Sequence, residues 1–128
     1  MGLKLDISEI YFEAGGCFGE CPIFNLSISA DGTVVYYASL FTEKEGIFIS
    51  AIPKPQLDRL VRSISKCDFF QLENEYEAPC TCMPTYTLAV TLKNGLKKTI
   101  EDYGPIGPHE LQLVYKRLFS IRKSQQWE

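Results

Sequence analysis

Apolar residues recur along this chain with two periods, and the changes between them mark out the elements. Leu3, Leu5 and Ile7 share one parity, whereas Ile10 and Phe12 share the other. A strand that changes its apolar side in this way holds an extra residue near Ser8-Glu9, a bulge or a break between two strands. Phe24, Leu26 and Ile28 then alternate with Asn25, Ser27 and Ser29, the pattern of a half-buried strand. Asp31-Gly32 follows and suits the positive-φ positions of a tight hairpin turn. A two-residue loop there pairs Ala30 with Thr33 and sets Ile28 opposite Val35 and Leu26 opposite Tyr37. This register puts Leu26, Ile28 and Val35 on the core face, and Val34 and Tyr36 on the other. A short strand over Ile47–Ser50 follows the charged turn Glu43-Lys44-Glu45-Gly46.

The period then changes. Pro53 and Pro55 end the strand, and Pro55 can occupy the first helical position, where its missing N–H costs nothing. Leu57, Leu60, Val61 and Ile64 follow at i, i+3, i+4 and i+7, with Cys67 a turn further on, which predicts an amphipathic helix. A second helix opens at Pro108 and carries Leu111, Val114, Tyr115, Leu118 and Ile121 on its stripe. Between the helices lie two strands, Thr85–Leu92 and Leu96–Tyr103. A three-residue loop, Lys93-Asn94-Gly95 with a left-handed glycine, pairs Leu92 with Leu96 and Leu88 with Ile100. A two-residue loop would pair Leu88 with Glu101, so the three-residue form is preferred.

The order is therefore strands, helix, hairpin, helix. It predicts an α+β fold, an antiparallel sheet of about five or six strands with both helices packed on one face. The 128 residues suit a single domain spanning 1–128, with enough length for a core without covalent staples. A formal net charge of −3 argues against the broad basic face that phosphate-backbone binding requires, and nucleic acid is not expected as a partner. No apolar run approaches the roughly 20 residues of a membrane span. Asp6 stands where a myristoylation site wants Ser or Thr. As written the chain carries no address. That is a cytoplasmic setting, or an exported one if Met1-Gly2 stands in place of a removed leader.

The most distinctive local sequence is Cys17-Phe18-Gly19-Glu20-Cys21-Pro22. This Cys-Phe-Gly-x-Cys-Pro run, the alternating strand, the Asp-Gly turn and a later x-Pro-Thr strand entry resemble a bacterial family of unknown function. The resemblance spans roughly Ile10 to Ile121. Many members of that family look exported or lipid-anchored, which implies that Cys17 and Cys21 can form a disulfide. The family pattern carries Asp just before its x-Pro-Thr step, where this chain has Cys82, with Cys80 beside it.

Cys17, Cys21, Cys80 and Cys82 thus sit on two loops that each precede a strand. If the loops share one end of the sheet, three fates compete: a four-thiolate zinc site, a Cys17–Cys21 disulfide, or free thiols in a reducing compartment. The spacings are less typical of zinc than paired C-x-x-C knuckles, and the residues call for no other cofactor. Cys67 ends a helix stripe and reads as a buried apolar residue. His109, the single histidine, falls in an exposed first helical turn and is a poor catalytic base. Gly15-Gly16 and Gly19 precede a strand, so they do not make a phosphate loop, which must open a helix. Glu73, Glu75 and Glu77 lack EF-hand spacing and read as a solvated loop. The basic end of the last helix, Lys116, Arg117, Arg122 and Lys123, complements the helix dipole.

These features add up to a non-enzymatic binding or interaction domain. It would use the open sheet face or the cysteine-bearing loops to hold a protein partner or a second copy. On the register above, the open-face patch is Val34 and Tyr36, joined by Tyr11 and Phe48. The alternative is a small metal or redox protein working through the four loop cysteines, and an enzyme ranks third.

Overall fold

We describe the protein from a computed structural model covering residues 6–17, 19, 21–79 and 83–124. The expectations for Leu3, Leu5, Cys80 and Cys82 fall outside these residues. Seven strands are described: β1 Ile7–Ala14, β2 Ile23–Ser29, β3 Thr33–Leu40, β4 Gly46–Ala51, β5 Glu75–Glu77, β6 Thr85–Leu92 and β7 Lys97–Tyr103. Two helices, α1 Lys54–Lys66 and α2 His109–Ser124, complete the order, with a single 3-10 turn at Phe69–Gln71. One sheet runs β4-β3-β2-β1-β6-β7-β5. It is antiparallel except where β5 lies parallel to β7. The α+β class and the two helices agree with the sequence. The strand count and the purely antiparallel sheet do not, because the acidic stretch expected as a loop supplies β5.

β1 is continuous, and the change of phase at its start is a bulge against β6 between Ile7 and Glu9. Its buried side then runs Ile10, Phe12, Ala14 at the centre of the sheet. Both helices lie over that side, and their stripes join the strand residues in one core cluster that includes Leu26, Ile28, Leu60, Ile64, Leu88, Ile100, Leu111, Val114 and Leu118. Pro53 caps α1 and Pro55 sits in its first turn. Every residue foreseen on the α2 stripe is buried.

Both hairpins use the same turn. In β6–β7, Gly95 donates its N–H to the Leu92 carbonyl and Leu88 faces Ile100, as the apolar pattern required. In β2–β3, Gly32 donates to the Ser29 carbonyl, so the loop is Ala30-Asp31-Gly32 and not the two-residue form. The extra loop residue shifts the pairing by one: Ile28 faces Val34 and Leu26 faces Tyr36. Because one step exchanges the faces of a strand, Val34 and Tyr36 lie in the core, at 0% and 5% exposure, and do not form the open-face patch expected of them. Asp31 and Asn94 hold the two loops alike, each accepting the N–H of the residue two ahead, Thr33 or Leu96, at 2.9 Å.

Gly95 has φ +93°, and a Cβ added there would meet nothing within 4 Å. Gly95→Ala therefore isolates the backbone cost of a left-handed residue. It should lower stability by about 1 kcal/mol in urea unfolding.

Candidate functional site

The loops after β1 and before β6 meet at one end of the sheet. The Gly15 N–H donates to the Thr85 carbonyl at 2.8 Å, carrying the β1–β6 pairing past Ala14 into the cysteine-bearing loop. At the same end Gly104 donates to the Pro84 carbonyl at 2.8 Å, and Ala78 to the Tyr103 carbonyl at 2.9 Å. Cys17 and Cys21 are joined by a disulfide across Cα atoms 5.6 Å apart. Closed in this way, the pair offers no thiolate to a metal. Cys67, by contrast, is buried and free, its thiol directed at the Ile64 carbonyl 3.1 Å away. Burial pushes that thiol up to about 11, so it stays protonated at neutral pH and is a poor nucleophile.

Near this end of the sheet, opposite Tyr86 in β6, lies Asp102, the one polar or charged residue among the described residues that is fully buried. Its Oδ1 accepts the Ile106 N–H at 2.8 Å. Its Oδ2 accepts the Gly107 N–H at 3.0 Å, the Tyr115 hydroxyl at 3.0 Å and the Gln112 Nε2 at 3.4 Å. Four donors from the β7–α2 turn and α2 thus converge on one carboxylate. Burial first, then the charge of Asp102, raises the Tyr115 phenol well above its ordinary range, and Tyr86 is raised for the same two reasons. Gly107 is required beside this group, since a Cβ there would come within 2.9 Å of Asp102 Oδ2.

A second region lies on the sheet face away from the helices, at the β4 edge. Val35 faces Ile49 and Tyr37 faces Ile47, and all four are exposed, at 36%, 53%, 45% and 64%. Tyr11 is on this same face, as expected, and donates to Glu13 Oε1 at 2.7 Å. Burial and the Glu13 carboxylate push its phenol up to about 12. Phe48 instead turns inward against Tyr36, ring centroids 6.1 Å apart.

Residues 8–122 match the family model described as Domain of unknown function (DUF6438). The chain belongs to this family. The resemblance to a family of unknown function is thereby met, and the matched span takes in the cysteine loop, the Asp102 cluster and the β4 edge. No curated protein matches the chain. Within this DUF6438 domain the structure brings the two cysteine-bearing segments to one end through their flanking residues, and leaves His109 exposed in the first turn of α2, as expected. Asp102 was not foreseen. Its signal was available, since it shares the inward parity of Ile100, and a carboxylate at a core position demands donors.

Proposed function

We propose that this DUF6438 domain is a non-enzymatic interaction module that pairs with a second copy of itself through β4. The observation that carries this reading is the contrast between the two edges of the sheet. β5, at one edge, is three residues long and carries Glu75 and Glu77, short and charged as an edge that avoids pairing should be. β4, at the other, runs Gly-Ile-Phe-Ile-Ser-Ala, with no charge and no proline, and adjoins the exposed residues Val35 and Tyr37. An antiparallel edge is self-complementary. A two-fold pairing with Phe48 opposite Phe48 sets Ile47 opposite Ile49, and it makes the two apolar patches continuous. The non-enzymatic part of the reading is supported by how the reactive groups are used. The Asp102 carboxylate is engaged by four donors, and the Cys67 thiol is held neutral.

Light scattering tests this directly. The native protein should have twice the mass of its 14.5 kDa chain at high micromolar concentration. Ile49→Lys places at the edge the residue that natural sheets use to block it, on an exposed position, and should give a folded monomer. A native monomer, whether because the segment bearing Trp127 covers the patch or because water does, overturns the proposal. So does a dimer that persists in Ile49→Lys.

A further inference from the structure

The charges of this acidic chain are sorted by layer. α1 and α2 carry eight Lys and Arg against two Asp and Glu, a net +6, whereas all other residues carry five against fourteen, a net −9. The overall −3 hides a basic helical layer. On it, a groove of about 340 Å³ runs between the helices, with Arg59 on one wall and Lys116 and Arg117 on the other. Gln56 and Ser120 add polar side chains, and among the described residues no carboxylate lines it. Arg117 is steadied by donating its Nε to Ser63 Oγ at 2.6 Å. Among the described residues the one ion pair is Lys54–Asp58, so none of the three groove cations has a carboxylate partner.

The helix dipole does not account for this arrangement. Arg59, Lys116 and Arg117 stand in the middle of their helices, outside the last turns where cations complement the dipole. Arg122, nearer the end of α2, is placed differently, with its guanidinium 5.0 Å from the Phe24 ring centroid.

We propose that this groove docks an acidic, Asp- or Glu-rich segment of a partner protein. Charge complementarity selects an anion, and two observations select its kind. Among the described residues none of the exposed large apolar side chains lies on α1 or α2, so the two helices offer nothing to insert into a bilayer. Among the described residues no aromatic lines the groove, so they offer no stacking platform for bases, and the −9 on the rest of the chain repels a polyelectrolyte longer than the face. An acidic segment lying between two helices needs neither.

Fluorescence anisotropy with a labelled oligoglutamate peptide tests this. Binding should appear at low ionic strength and weaken as salt rises. In Arg59→Glu/Lys116→Glu it should fall by roughly tenfold or more. Lys44→Glu/Lys97→Glu makes the same change in net charge at exposed positions off the helices and should leave binding within about twofold. The proposal is overturned if the peptide does not bind at low salt, or if both variants weaken binding equally. Tighter binding of single-stranded DNA or of phosphatidylserine vesicles than of the peptide also overturns it.

Discussion

Asp102→Ala should lower stability by about 3–4 kcal/mol, read as a shift in the urea midpoint with unchanged slope. The alanine removes the acceptor for the Ile106 and Gly107 N–H groups, the Gln112 amide and the Tyr115 hydroxyl together. Gly107 and Tyr115 are buried, so their donors do not simply turn to water. Burying an unpaired donor costs about 1–3 kcal/mol. Asp102→Asn is the sharper comparison. Each carboxylate oxygen accepts at least one N–H, so whichever way the amide lies, its NH₂ faces a donor. About half the alanine loss should remain. A loss below about 1 kcal/mol in Asp102→Ala would show that the β7–α2 turn is held by its own backbone and not by this carboxylate.

How many patterns the residues allow decides what the sequence shows: it leaves one hairpin register unambiguous and hides the other, along with the role of Asp102. In β6–β7 the alternative register sets Leu88 against Glu101, and burial rejects it. In β2–β3 the segment Val34-Val35-Tyr36-Tyr37 is apolar in both parities, so either register matches apolar with apolar and periodicity decides nothing. The deciding signal was turn chemistry. Ala30-Asp31-Gly32 and Lys93-Asn94-Gly95 share an Asx-Gly ending, and each Asx side chain accepts the N–H two residues ahead. That likeness was enough to assign both the same loop. The helices were legible in full, since each carries one apolar stripe at 3.6-residue spacing and an adjacent proline.

The site was less legible than the fold because its parts sit on three different segments, β7, the turn after it and α2. Asp102 reads as the polar end of a strand until Gln112 and Tyr115, 10 and 13 residues further on in α2, are folded over it. The edge patch depends wholly on register. A one-residue error moved it from Val35 and Tyr37 to Val34 and Tyr36, and the core gained what the surface lost. The sorting of charge between layers was present in the sequence, but it has meaning only once both helices are known to share one face. The overall charge of −3 excluded a basic chain and said nothing of a basic side.

Phe12→Ala should be the most damaging single core truncation tested, at about 3–5 kcal/mol. Phe12 stands in β1, the middle strand of the seven, and is fully buried. Its ring centroid lies 5.9 Å from Phe24, 5.4 Å from Tyr86, 5.8 Å from Tyr115 and 5.8 Å from Phe119. The residue therefore joins three strands to α2 in one aromatic cluster. Its loss leaves a cavity bounded by other rings, which are too stiff to collapse into it as flexible side chains would. A domain of this size has about 5–15 kcal/mol of stability in total, so the variant should sit near the folding threshold at 37 °C. Phe12→Leu keeps most of the volume and should cost under about 1.5 kcal/mol. A loss below about 2 kcal/mol for Phe12→Ala would mean that the helical layer closes onto the sheet, and that this cluster is not what fixes the two layers together.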